Sequence, residues 1–124
     1  MVTGIGIDLV EVDRIMTSMK KERGFRELVF SADEIAYCEP KANRFEHYAA
    51  RYAAKEAFFK ALGTGWIDGT AFNEVEILNT EKGKPYLHFL GLTAATIGKM
   101  AIKNIQVSLT HIKTMASAVV IIEQ

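Results

Sequence analysis

The chain has 124 residues, 49% of them hydrophobic, which suits one compact domain spanning 1–124. Fifteen basic and fifteen acidic side chains cancel, so the strongly positive field of a dedicated nucleic-acid binder is excluded and charge-driven recognition must be local. Cys38 is the only cysteine, which excludes an internal disulfide framework or a cysteine-rich zinc site and fits a reducing cytoplasm.

Val2 to Val10 alternates as a strand does, with Ile5, Ile7 and Leu9 on one face and Val2, Gly4, Gly6, Asp8 and Val10 on the other. It is too short, and charged too early at Asp8, for a signal peptide or a membrane span, so no membrane association is expected. From Glu11 to about Arg26, Val12, Ile15, Met16, Met19 and Phe25 recur at helical spacing, which predicts an amphipathic helix broken at Gly24. Ser31 followed by Glu34 has the form of a capping box and opens a short helix that Pro40 should stop.

Asn43 can cap a long central helix running to about Leu62, with Gly63 as a left-handed terminator. After the loop GTGWIDG, Phe72 to Leu78 and Pro85 to Leu90 read as strands joined through Glu81 to Lys84. Thr93 to Lys103 is a further helical stretch, and Ile105 to Thr110 and Ala116 to Ile122 are β-rich. The predicted class is α+β, a mostly antiparallel sheet packed on the long central helix.

Asp is depleted in strand interiors, yet Asp8 lies on the face that carries Gly4 and Gly6, leaving room for a ligand or metal beside the carboxylate. The plainer alternative is that Asp8 ends the strand or caps the next helix. Along the central helix, successive rotations of about 100° put Arg51 and Lys55 on one arc, expected to be solvated. Glu56 and Lys60 instead fall in line with Ala49 and Ala53, interrupting an apolar surface. As an i, i+4 salt bridge they would contribute about 0.3–0.5 kcal/mol. A magnesium ion on the carboxylate and a phosphate on the ammonium would compensate both charges.

Gly63, Thr64 and Gly65 can bring backbone close to a phosphorylated ligand, but they follow a helix and lack the order of a Walker A motif, so a helix terminator is the commoner meaning. His111 closes VSLTH, where it can bind phosphate, stack on a base or carry a proton, although a lone turn histidine usually does none of these. Cys38 and Trp66 are read as packing. Arg14, Lys20, Lys21, Arg23 and Arg26 face one acid, Glu22, a local basic excess able to receive an acidic partner helix, although a solvated face is commoner.

The blocks GIGIDLVEVDRI, RYAAKEAFFKALGTG, GKPYL and VSLTH, in this order and across nearly the full chain, strongly resemble the holo-acyl-carrier-protein synthases. The tyrosine in RYAAKEA, where phenylalanine is common in the family, is a mild departure. The resemblance implies the 4′-phosphopantetheinyl transferase fold and transfer of 4′-phosphopantetheine from coenzyme A to a serine of acyl carrier protein, releasing adenosine 3′,5′-bisphosphate. It implies Mg2+ on Asp8 and Glu56, Lys60 on the phosphates, and a coenzyme A site shaped by Arg51, Gly63 to Gly65, Ser108 and His111. It also implies that Arg14 and its basic helix receive the carrier protein, and that the chain is a homotrimer with sites between subunits. Glu56 itself or a water near Asp8 would take the serine proton, and the sequence leaves both open. Two competing readings remain: hydrolysis of a nucleotide or phosphoester, and a non-catalytic module binding coenzyme A or an acidic helix.

Overall fold

The computed structural model describes residues 1–124. In chain order the elements are β1 (Val2–Glu11), α1 (Val12–Lys21), α2 (Phe25–Val29), α3 (Ala32–Cys38), α4 (Arg44–Ala61), a 3-10 turn (Phe72–Glu74), β2 (Val75–Asn79), β3 (Pro85–Phe89), α5 (Gly91–Gly98), β4 (Asn104–His111) and β5 (Met115–Glu123). Two antiparallel sheets form, one of order β1-β5-β4 and one pairing β2 with β3. The α+β expectation holds.

The long helix α4 lies on the three-stranded sheet, and its small residues explain how closely. Ala49, Ala50, Ala53, Ala54 and Ala57 are all buried against Val10, Ala116, Ala118, Val120 and Ile122. Opposite them β1 offers glycine: a Cβ at Gly4 would stand 2.0 Å from the Ala61 carbonyl oxygen, and one at Gly6 would stand 1.9 Å from that of Ala57. Helix and strand therefore touch backbone to backbone, and only glycine permits it.

The glycine face of β1 is thus the inner face. Its apolar row points outward, with Ile5, Ile7 and Leu9 66%, 65% and 64% exposed. No helix is long and apolar enough to cross a membrane.

Local signals held where they were chemical. Ser31 and Glu34 form both halves of the capping box, and Gly24 and Gly63 stand at φ of +81° and +84° where helices break. Asn43 differs: its side chain caps nothing, and its carbonyl instead accepts from the Glu46 and His47 amides at 3.1 and 3.4 Å. Phe72 to Glu74 turns rather than extends, because Glu74 reaches across to the Thr93 amide and hydroxyl at 3.1 and 2.8 Å. Helix α5 consequently starts early at Gly91, and it ends at Gly98, before Ala101 at φ +55° turns the chain into β4.

Candidate active site

The tight β1–α4 contact sets the C-terminal turns of α4 beside Asp8. Lys60 donates from Nζ to Asp8 Oδ1 and to the Ile7 carbonyl, both at 3.0 Å. The ion pair of Lys60 is therefore with Asp8 across the interface, not with its helical neighbour Glu56. Asp8 is held from behind as well, since Ser117 donates to its backbone carbonyl at 2.9 Å. Its side chain retains 16% exposure and that of Lys60 54%, so the pair opens on solvent.

Tyr52, one turn before Glu56, joins this group. Its phenol is pushed up to about 12, first by burial, then by the charge of Glu56 and a hydrogen bond to it, with Asp8 adding to the rise and Arg14 opposing it. The charges of both carboxylates thus favour the protonated form of this hydroxyl. The ring is fixed between Phe25 and Phe72, at centroid distances of 6.5 and 6.1 Å. Sequence reading missed Tyr52; its i−4 spacing from Glu56 was the available signal.

Asp8 and Glu56 are hard oxygen donors, and no cluster of three or more His, Cys, Asp or Glu side chains is present that could hold a metal alone. Magnesium is commonly held by one or two carboxylates, with waters and substrate phosphate oxygens completing its six positions. The donor set fits a metal shared with a phosphorylated substrate.

The expectation for the other helical arc is overturned. Arg51 and Lys55 are 2% and 0% exposed, the reverse of a solvated face. Helical periodicity registers only the face α4 turns to the sheet, while α3 and β2 cover its other side and supply partners. Lys55 meets Glu34 and the Phe72 and Val75 carbonyls, and Arg51 donates to Asn79 Oδ1 at 2.7 Å with its guanidinium 4.2 Å from the Tyr37 ring centroid. Arg51 Nε has no partner in this structure.

The remaining residues divide by position. Gly63 and Gly65 have open space where a Cβ would point, exposed Thr64 donates to the neighbouring Gly65 carbonyl, and the Gly63 amide donates to the Lys60 carbonyl at 3.0 Å, as a helix terminator does. His111 bonds Glu46 through Nδ1 at 2.9 Å and packs edge-on against His47 at 5.1 Å. Glu46 precedes Glu56 by ten residues, about 15 Å along the helix axis. Ser108 is exposed on the outer face of β4, cross-strand from Val119, and is not brought to Asp8 within this chain.

Trp66 is 57% exposed, against the expectation that it packs. Cys38 is buried as expected, its thiol pushed up to about 12 by burial, which leaves it no nucleophilic role. Of the basic residues, Arg14, Lys20, Lys21 and Arg23 are exposed, but Arg26 is spent on Glu27 and Glu39 at 2.7 and 3.1 Å. Lys20 and Arg44 flank the Phe45 ring at 5.6 and 4.9 Å, at one wall of a cleft that Lys21 and Arg23 also line.

The family model of the 4′-phosphopantetheinyl transferase superfamily matches residues 4–113. The chain belongs to this superfamily. A holo-[acyl-carrier-protein] synthase of Solibacter usitatus is 46% identical over 124 residues, covering 99% of each chain. Among solved superfamily structures, the holo-[acyl-carrier-protein] synthase of Neisseria meningitidis superposes with a TM-score of 0.90 at 27% identity, over 100% of both chains. The synthase of Bacillus anthracis, solved in complex with coenzyme A (3′,5′-ADP), gives 0.80 at 31% identity over 98% of this chain and 96% of that one.

Proposed function

We propose that this protein is a holo-[acyl-carrier-protein] synthase, transferring 4′-phosphopantetheine from coenzyme A to a serine of apo-acyl carrier protein and releasing adenosine 3′,5′-bisphosphate. The observation that carries this reading is the Lys60–Asp8 pair at the β1–α4 contact, with Glu56 one turn before Lys60 on α4, in a chain similar to such synthases from end to end.

Asp8 and Glu56 would hold Mg2+, and the ion would supply charge neutralisation at the phosphoryl oxygens of the substrate. Lys60, whose side chain is 54% exposed, reaches the phosphates with its ammonium and stabilises negative charge as the bond to the leaving group lengthens. Glu56 or a water near Asp8 accepts the proton of the attacking serine, while Tyr52 keeps its own proton and orients the Glu56 carboxylate. The Gly63, Thr64 and Gly65 loop borders the phosphates, and Arg51 on α4 and His111 at the end of β4 serve the nucleotide end of a substrate as long as coenzyme A.

The basic surface made by Arg14, Lys20 and Lys21 of α1 and by Arg23 in the turn that follows receives the acidic carrier protein, where opposite charge speeds encounter. Ile5, Ile7 and Leu9 form an apolar row beside Val119 and Ile121 on the outer sheet face, which supports association of copies into a trimer with sites between subunits. Ser108 on that same face reaches a site only in such an assembly.

The test is mass spectrometry of apo-acyl carrier protein incubated with the protein, coenzyme A and magnesium, beside a chelator control. A phosphopantetheine mass gain abolished by chelation is expected. Binding of coenzyme A without a mass gain on a competent acceptor would move the chain to a non-catalytic role.

A further inference from the structure

The face of α4 turned to the sheet is nearly all alanine, so no long side chain on that face keys the rotation of the helix about its axis. Yet Glu56 and Lys60 project from this helix, and their standing relative to Asp8 depends on that rotation. Reacting groups tolerate only about 0.5 Å or 10–20° of error.

What opposes rotation is on the other side. Lys55, the immediate neighbour of Glu56, is fully buried and spends all three ammonium protons: on Glu34 Oε1 at 2.7 Å, the Phe72 carbonyl at 2.8 Å and the Val75 carbonyl at 2.5 Å. Glu34 is equally fixed, accepting from the Ser31 amide at its own helix start and from the Ile77 amide in β2, both at 3.0 Å. One ammonium therefore ties α4 to α3, to the 3-10 turn and to β2. An ion pair this deeply buried gains little net stability over a well-packed apolar pair, so its presence calls for another role, and fixing one arrangement among close alternatives is the best attested.

We propose that Lys55, clasped by Glu34, is a positioning residue for the transfer reaction: it sets the rotation of α4 and thereby where Glu56 and Lys60 stand relative to Asp8. This rests on the roles given above to those three residues.

The test compares Lys55→Met, Glu56→Ala and, as a control for stability alone, Ile97→Ala, a core change that removes none of the clasp's hydrogen bonds. Three quantities are measured below the melting temperature of each variant: kcat, the magnesium concentration for half-maximal rate, and Mn2+ affinity of the coenzyme A complex by electron paramagnetic resonance. Folded Lys55→Met is expected to lose about tenfold or more in kcat, as sub-ångström misplacement does. Its half-saturating magnesium should rise and its Mn2+ affinity fall, while Ile97→Ala changes neither.

Wild-type kcat and metal response in folded Lys55→Met, beside an inactive Glu56→Ala, would overturn this inference and leave the site reading intact. An active Glu56→Ala with undiminished metal response would overturn both. If Lys55→Met does not fold, the charge-free Glu34→Gln/Lys55→Met carries the same measurements. Failure of both to fold would overturn the proposal, making the clasp a requirement of the fold instead.

Discussion

Gly6 lies against the backbone of Ala57 so closely that a methyl group on it would stand 1.9 Å from the Ala57 carbonyl oxygen and 2.7 Å from the Ala61 nitrogen. Both obstacles are backbone, so neither can swing aside. Gly6→Ala is expected to lower stability by about 1–3 kcal/mol or more through overpacking. It should also move Asp8 away from Lys60. Calorimetry checks the first effect, and a fall in transfer activity at a temperature where the variant is folded checks the second. Gly98→Ala, whose methyl meets nothing, should leave the melting temperature unchanged or slightly raised.

Asp8→Ala and Glu56→Ala should each lose about a hundredfold or more in kcat/KM, the scale of removing a charge-stabilising group from such a site. Both should keep the wild-type circular dichroism spectrum, since neither side chain is in the core. Lys60→Ala should be impaired in the transfer step. The assay is carrier-protein mass gain across a magnesium titration, and full activity in either carboxylate variant would reject the metal assignment.

Arg14→Glu should raise KM for acyl carrier protein while leaving coenzyme A affinity nearly unchanged. The wild-type advantage should shrink with added salt, because exposed charges about 10 Å apart are largely screened at 0.1 M. Arg26→Ala should matter less to recognition, because Glu27 and Glu39 already occupy its guanidinium.

His47 titrates below its ordinary value of 6.5, first because it is part-buried and then because His111, Lys41 and Arg51 repel its charged form, against a smaller opposing pull from Glu46. The unfolded chain therefore binds the proton more readily, and stability rises with pH in this window. It is complete above about 6.5 and is lost as pH falls through the lower folded value. Melting temperatures measured across that range should fall on acidification in the wild type and fall less in His47→Gln.

Ile5→Asp places a charge in the exposed apolar row of β1. If copies associate through that face, light scattering should show the assembly dissociating, and activity should fall with it although the change lies on the opposite sheet face from Asp8.

Several features were legible because they are encoded within a few residues. The Ser31–Glu34 capping box, the Gly24 and Gly63 helix breaks and the alternation of β1 are local patterns, and each is found in place. The four sequence blocks placed the chain in its superfamily without any contact being known. Asp8 stood out because aspartate is depleted in strand interiors and the glycines on its face leave room beside the carboxylate.

Tertiary structure alone decided which charges are buried. Helical periodicity separated Arg51 and Lys55 from Glu56 and Lys60 correctly, but it could not tell which pair faced water. That depended on α3 and β2 covering the far side of α4 and on the distant partners Glu34, Asn79 and the Val75 carbonyl, 21, 28 and 20 residues away. The partner of Lys60 was likewise Asp8, 52 residues distant, in place of Glu56 one turn away. A side chain's solvation is set by whatever packs over it, and sequence spacing carries no information about the second layer.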